Sequence, residues 1–251
     1  MINSEQFTEM VYGFWARRFD YGEAVFDRPC TYIFEEETLQ GKMKANLYQI
    51  GAISILRIGP DLLAQLDLPS IFPCAIKAIG VDDLREVLNG RFRVTVQDTL
   101  LDWFLDAKNH IQYAPPDGFT MRRLDGVKED STLQAFYATA SQQDLEAAEI
   151  YLDEPDPVIF GLFDADGTMA AYVSHRYWED LLCDIGVLVS DGYRGRGLGN
   201  AVVSALCDWC IANQKIPMYR VFDNNPHSLA IPGALGFQLL VTIDTLEIST
   251  Q

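Results

Sequence analysis

The sequence predicts an α+β protein: a mixed, mostly antiparallel sheet flanked by helices, preceded by a smaller α+β N-terminal domain. Three observations lead there. In the second half, strand-like runs follow one another directly and are then joined through a helix, which calls for antiparallel pairing followed by a crossover. The stretch Tyr113-Ala-Pro-Pro-Asp-Gly118 breaks both helix and strand and divides the chain into pieces of domain size, residues 1–114 and 119–251. The 251 residues, 49% hydrophobic and 12% aromatic, have a globular composition that excludes wholesale disorder.

In the first half, Phe7, Met10, Val11, Phe14 and Trp15 form a helical stripe over Glu5 to Arg18. Leu47 to Ile58 is rich in β-branched residues and reads as one strand. Pro60 suits the first turn of a short helix through Leu66. Val81 to Leu88 reads as helix. Phe92, Val94 and Val96 alternate with polar residues as in a half-buried strand, and Thr99 to Lys108 reads as another helix. No motif stands out in residues 1–117. In the second half, Phe119 to Leu124 reads as strand, and Asp130 to Ala140 and Gln143 to Tyr151 as helices. Val158 to Phe163 and Met169 to His175 are strands around Asp164-Ala-Asp-Gly167, a strong turn signal. Asp184 to Val189 is a strand, Asn200 to Asn213 an amphipathic helix, Met218 to Phe222 a strand, Pro226 to Leu235 a helix and Gln238 to Ile248 a closing strand.

Several function classes drop out. No window approaches the roughly 18 apolar residues of a membrane span; the best run, Ile50 to Leu56, stops at Arg57. The start, Met1-Ile-Asn-Ser-Glu-Gln, lacks a signal-peptide pattern, and five cysteines are odd and sparse for a disulfide scaffold, so a reduced, cytoplasmic protein is expected. The net charge of −17 opposes binding to nucleic acid or to an anionic membrane. The acid is uneven: residues 118–251 carry 8 basic and 19 acidic side chains, net −11. Cys207 and Cys210 lie one helical turn apart, but a zinc site needs a second pair, so no metal is expected.

The informative segment is Val187-Leu-Val-Ser-Asp-Gly-Tyr-Arg-Gly-Arg-Gly-Leu-Gly-Asn200, a strand entering a four-glycine loop that opens a helix near Leu198. Glycine lets backbone approach a ligand closely, and the first N–H groups of a helix point outward with the positive end of its dipole. Phosphate oxygens are the natural guest, with Arg194 and Arg196 adding charge. No Lys-Ser or Lys-Thr follows, which excludes a Walker loop, and Gly195-x-Gly197-x-Gly199 is not the dinucleotide spacing.

Arg194-x-x-Gly197-x-Gly199 after Val187-Leu-Val resembles the Arg/Gln-x-x-Gly-x-Gly/Ala motif of the GNAT N-acetyltransferase superfamily. Downstream, Asn225-x-x-Ser228-Leu229-x-Ile231-Pro232-x-x-Leu235-Gly236-Phe237 is similar to that superfamily's Asn-x-x-Ala-Ile-x-Leu-Tyr-x-x-Leu-Gly-Phe block. The resemblance covers Phe119 to Gln251. It implies acetyl-CoA as cosubstrate, held by Arg194, Gly195, Arg196, Gly197, Leu198, Gly199 and Asn200 at the pyrophosphate, by the backbone of Leu188 and Val189 along the pantetheine arm, and by Asn225 and Ser228. It implies an arm entering where two strands, Asp184–Val189 and Met218–Phe222, splay. The first 114 residues carry no recognised motif; a degenerate acetyltransferase-like half is one reading, since some relatives have one.

Transfer of an acetyl group to a primary amine of a small molecule or peptide needs a neutral amine, a polarised carbonyl and a proton for the leaving thiolate. The tyrosine that often supplies that proton is Pro232 here. Three readings stay open. The thiolate leaves by way of water or another side chain, with Tyr219, Ser228 and His227 as substitutes. Catalysis is slow and rests on proximity. Or the domain is a non-catalytic acyl-CoA-binding or regulatory module. Asp184 is the nearest acid for a general base, one residue short of the usual offset, so strand alternation decides whether it faces the cleft. His175 is a second, weaker choice. The acidic balance favours a cationic acceptor. The oligomeric state stays open, a homodimer included.

Overall fold

The computed structural model describes residues 4–19, 29–66, 78–125, 128, 130–150 and 156–250. The chain forms two compact units, and both are discontinuous in sequence. One consists of residues 5–102 joined by 221–226 and 239–251; the other consists of residues 103–220 and 227–238 with the first four residues. The Pro115-Pro116 stretch lies inside the second unit.

In the first unit, helix α1 (Ser4–Arg18) buries Phe7, Val11, Phe14 and Trp15, the stripe expected from its periodicity. Strand β1 (Cys30–Glu35), not foreseen in the sequence, runs parallel to β3 (Ile53–Ile58). The single strand expected over Leu47–Ile58 is a hairpin: β2 (Lys44–Ile50) turns back into β3 at Gly51, whose φ of 57° is left-handed. Helices α2 (Pro60–Leu66) and α3 (Val81–Leu88) match the reading closely. The helix expected over Thr99–Lys108 is instead the continuation of β4 (Phe92–Phe104), followed by a single 3₁₀ turn at Ala107–Asn109. Thr99 hydrogen-bonds Asp244 at 2.7 Å and accepts from the Asp223 N–H, ties that an extended backbone makes and a helix would not. The strand order here is β1-β3-β2-β10-β4, with β10 (Gln238–Thr250) antiparallel to β2. Leu47, Leu56, Ile58, Leu62, Leu84, Leu246 and Ile248 share its core.

The second unit has strand order β9-β8-β7-β6-β5. These are β5 (Thr120–Leu124), β6 (Ile159–Phe163), β7 (Met169–Trp178), β8 (Leu182–Val189) and β9 (Ile216–Phe222). β5 through β8 are antiparallel neighbours, whereas β8 and β9 are parallel, joined by helix α6 (Leu198–Ala212). Helices α4 (Asp130–Tyr137) and α5 (Gln142–Ala147) precede β6, and α7 (Pro226–Leu235) follows β9. The helix expected to reach Tyr151 ends at Ala147; Tyr151 itself lies outside the described residues.

Strand alternation sorts β8 cleanly. Tyr172 and Leu188 pack with Phe136, Tyr137, Leu145 and Ala148, so the even residues of β8 face α4 and α5. A Cβ on Gly186 would stand 2.1 Å from the Ala148 carbonyl oxygen, so only glycine lets the end of α5 sit this close to the strand. Gly186→Ala is expected to cost about 1–3 kcal/mol through overpacking, measured as a fall in the denaturation midpoint at unchanged m-value.

Candidate active site

The site builds from the end of β8. Ser190 leads a 3₁₀ turn, Asp191–Tyr193, and Gly197 begins α6. Gly195 and Gly197 both have left-handed backbone, φ 76° and 77°, so the loop requires glycine for its turn as well as for access. A valine at Gly197 therefore strains the backbone before any ligand is considered. Gly199 has a different reason: a Cβ there would sit 3.1 Å from Ile231 Cδ1 of α7 and 3.7 Å from Val189 Cγ2, so it allows α6, α7 and β8 to converge. The N–H groups of Leu198, Gly199 and Asn200 fall in the first turn of α6, where a helix offers no internal acceptor.

Arg194 does not extend into solvent as a spare cation. Its Nε donates to the Val189 carbonyl at 3.2 Å, and its Nη2 pairs with Asp144 at 3.1 Å and Asp191 at 2.9 Å. It ties the loop to α5 and to β8. Tyr193 donates its phenol to Asp164, in the β6–β7 turn. Arg196 is exposed, with its guanidinium 5.5 Å above the Tyr193 ring. The Tyr193 phenol holds the Asp164 carboxyl below its ordinary range; the Ser141 hydroxyl, and then Arg194, do the same for Asp144. Both folded-state values are depressed, so these ties are present above the unfolded carboxylate value and are lost as pH falls through the folded one. The loop is expected to hold its shape from neutral pH down to about pH 4 and to loosen below it, read by amide exchange at residues 191–200.

The segment before β5 also reaches this helix. The Tyr113 N–H donates to Ser204 Oγ at 3.0 Å; Ser204 meets His110 Nε2 at 3.2 Å, and His110 Nδ1 lies 3.3 Å from Asp208. This order resembles a hydrolase triad, but Ser204 is buried and its oxygen already accepts the Tyr113 amide, so the chain anchors the segment on α6. Burial lowers the His110 value, opposed by Asp208, so the anchor is favoured by a neutral ring and weakens as pH falls below about 6.5. It leaves the Tyr113 ring 42% exposed beside Gly197, where an added Cβ would lie 3.5 Å from Tyr113 Cε1. Tyr113 was not singled out in the sequence, because nothing local to it marks a site.

Among the described residues the parallel ladder joins Leu182, Cys183 and Asp184 to Ile216, Pro217 and Met218 and stops there. β8 runs on to Val189 and β9 through Tyr219 and Arg220, so a gap opens between them. The edge facing this gap follows from register. The Ser190 N–H donates to the Ala170 carbonyl at 3.0 Å, and hydrogen-bonded pairs alternate along an antiparallel ladder. Leu188 thus spends its backbone on Tyr172, while the backbone groups of Ile185, Val187 and Val189 turn toward the gap. The backbone directions of Leu188 and Val187 are thus opposite, a difference invisible without the register.

Asp184 pairs with Met218, and its carboxylate lies 3.5 Å from Arg220 Nη1, two residues further along β9. Asp184, Met218 and Arg220 therefore share the α4–α5 face, and Tyr219 points to the other. Asp184 is buried, and Arg220 also lies 4.7 Å over Trp178 and 3.9 Å from Glu149. Tyr219 is buried, its phenol hydrogen-bonded to Ser228 of α7; burial pushes its pKa well above the ordinary value. Two substitutes for the missing tyrosine are thus in contact. Pro232 sits inside α7 and cannot donate a backbone hydrogen bond to Ser228. Asn225 immediately precedes α7, its N–H on the Phe222 carbonyl at 3.0 Å, and His227 is exposed in the first turn. His175 lies on the α6 side, away from Asp184. Among the described residues no group of three or more His, Cys, Asp and Glu side chains fits a metal ion, and no helix is long and apolar enough to cross a membrane.

Residues 124–237 match the family model for the acetyltransferase (GNAT) family, and this segment is a GNAT acetyltransferase domain. No curated protein matches the chain. Among solved structures, the chain is similar to an acetyltransferase of the GNAT family from Novosphingobium aromaticivorans, at 19% identity and TM-score 0.43, covering 64% of this chain and 68% of that one. It is also similar to a GNAT-family acetyltransferase from Colwellia psychrerythraea, at 15% identity and TM-score 0.47, covering 78% and 76%. A tandem GNAT protein from the clavulanic acid biosynthesis pathway aligns at 12% identity and TM-score 0.45, covering 99% and 96%.

Proposed function

We propose that this domain transfers an acetyl group from acetyl-CoA to a primary amine, of a small molecule or a peptide, by direct attack in a ternary complex. The observation that carries the reading is the gap between β8 and β9 opening onto a glycine loop at the start of α6. The two features suit two parts of one molecule. Loop amides from Gly195 to Asn200, with Arg196 beside them, suit a pyrophosphate. The β8 edge at Val187 and Val189 suits the amides of a pantetheine arm, which can pair as an added strand does. Arg194 acts by holding the loop.

The chemistry divides between the two faces of the sheet. On the α4–α5 face, Asp184 receives a proton from the attacking amine, directly or through water, while Arg220 fixes its carboxylate. On the other face, Tyr219, backed by Ser228, donates a hydrogen bond to the departing sulfur. A phenol whose acidity is weakened keeps its proton through the working range, so it stabilises the thiolate by hydrogen bonding rather than by full transfer. This pair answers the absence of a hydroxyl at Pro232. The surplus of acid in residues 118–251 favours a cationic acceptor.

Titration calorimetry with acetyl-CoA tests the cosubstrate. Arg196→Glu is expected to weaken binding by about tenfold or more, since it replaces attraction for phosphate by repulsion. Gly192 has open space around it and ordinary backbone, so Gly192→Ala serves as a neutral loop control. Equal affinity in the wild type and a folded Arg196→Glu would remove the pyrophosphate from this loop.

A further inference from the structure

A segment from outside residues 124–237 ends against the glycine loop, and acyl transfer in the cleft gives it no part. Residues 110–113 form neither helix nor strand, yet each is tied down within the second unit. His110 meets Ser204 Oγ at 3.2 Å and Asp208 at 3.3 Å. The Ile111 N–H donates to the Leu235 carbonyl at 3.1 Å, and Gln112 Nε2 donates to Asp208 at 3.2 Å. The Tyr113 N–H donates to Ser204 Oγ at 3.0 Å. Just upstream, a Cβ on Gly236 would stand 2.0 Å from the Asn109 carbonyl oxygen, so only glycine admits this approach. Gly197, Ser204 and Asp208 follow one another at helical spacing. The segment thus lies along one side of α6 and carries Tyr113 toward the loop.

These bonds hold the backbone and leave the ring out: Tyr113 is 42% exposed. From a Cβ placed on Gly197, Tyr113 Cε1 lies at 3.5 Å and the phenol oxygen at 3.8 Å, while Cζ, the atom between them, lies beyond 4 Å. Gly197 therefore meets the ring at its edge and covers neither face. Tyr177, equally exposed, differs: its ring is met by His175 at 4.5 Å and by Lys215 at 5.6 Å. Among the described residues no aromatic ring or cation is stacked on Tyr113. A lone exposed tyrosine is ordinary on a surface. One whose backbone is already ordered, at the rim of a loop suited to phosphate, is a preorganised stacking face.

We propose that the exposed face of Tyr113 is the platform on which the adenine of the acyl-CoA stacks. This rests on the reading of the glycine loop as the pyrophosphate site. In CoA a single ribose separates the pyrophosphate from its base, so the adenine comes to rest within one sugar of the loop. Tyr113 stands there, its ring edge on Gly197. Stacking also suits this surface electrically. Arg194 is committed to Asp144 and Asp191, and residues 118–251 are acidic overall. A grip made by a neutral ring needs no further cation, and every base offers a π-face to it. The adenosine end of the donor is thus held by a residue that precedes the acetyltransferase domain in sequence and is fixed to it through Ser204.

The test is titration calorimetry of the full chain with acetyl-CoA, paired with NMR of the bound donor. Tyr113→Ala is expected to weaken acetyl-CoA binding roughly tenfold, the usual loss for one stacked base. Tyr113→Phe keeps the face and should bind as the wild type does. Ile111→Ala, two residues away and 53% exposed, should do the same and controls for loosening of the segment. In the wild type, adenine H2 or H8 should show NOEs to the Tyr113 ring. Wild-type affinity in a folded Tyr113→Ala overturns the platform and leaves the pyrophosphate reading standing. A loss in Tyr113→Phe or Ile111→Ala equal to that in Tyr113→Ala overturns stacking as its cause. Wild-type chain that binds no acetyl-CoA removes the loop reading, and the platform with it. If Tyr113→Ala fails to fold, the NOEs decide: their absence from the bound wild type overturns the proposal.

Discussion

Asp184→Asn is expected to lower kcat by about 10²-fold or more, with acetyl-CoA affinity changed less than about threefold. The asparagine keeps size and shape but cannot take a proton. Asp184 lies on the α4–α5 face, and the loop that suits the pyrophosphate lies beyond the end of the same strand, so binding and proton removal separate. The loss should fall on kcat and should abolish the acid limb of its pH profile, which reports ionisation of the base in the bound complex. Arg220 loses its 3.5 Å partner, and breaking a buried pair costs about 3–5 kcal/mol at worst. Rates are therefore referred to the folded fraction measured by circular dichroism. A folded Asp184→Asn with wild-type kcat and pH profile would leave Asp184 as an ion-pair partner of Arg220 and nothing more.

Tyr219→Phe is expected to reduce kcat by about 10²-fold, the usual loss for one preorganised donor at a site of developing charge. The ring stays, and with it the edge-to-face contact on Phe237 at 6.1 Å; what goes is the hydroxyl and its bond to Ser228. That bond contributes about 1 kcal/mol to stability, a small shift next to the rate effect. Thioesters with better leaving groups need less help, so the deficit should shrink as the thiol becomes more acidic. Ser228→Ala should give a smaller loss, because Ser228 orients the phenol without touching the sulfur. A Tyr219→Phe deficit that is independent of the leaving thiol would place the proton donor elsewhere, with His227 next to be examined.

The glycine loop was legible because its information is local. Four glycines between a strand and a helix permit few other arrangements, and Gly195 and Gly197 are indeed left-handed. Pro60 marked its helix for the same reason. Local sequence is ambiguous where neighbours decide. Leu47–Ile58 is a continuous β-forming run, and Gly51 alone did not announce a hairpin. Thr99–Phe104 has side chains that fit helix or strand, and the bonds of Thr99 to Asp244 and Asp223 settle it as strand. Within the site, residue identities were readable but directions were not. Whether Leu188 or Val187 turns its backbone to the gap depends on the Ser190–Ala170 bond, and the face of Asp184 depends on the same register. Arg194, expected to add charge for a phosphate, is committed to Asp191, three residues before it, and to Asp144, a distant partner that no spacing in the sequence links to it.

The central claim is that the gap between β8 and β9 supports transfer and not merely binding. Its most direct test is the release of free CoA thiol from acetyl-CoA by the wild-type chain, followed over a panel of diamines, amino acids and lysine-containing peptides. Thiol release is expected to require an amine, to saturate with it and to yield the matching N-acetyl product. Tight acetyl-CoA binding without amine-dependent release for any member of the panel would contradict it and leave an acyl-CoA-binding module in its place.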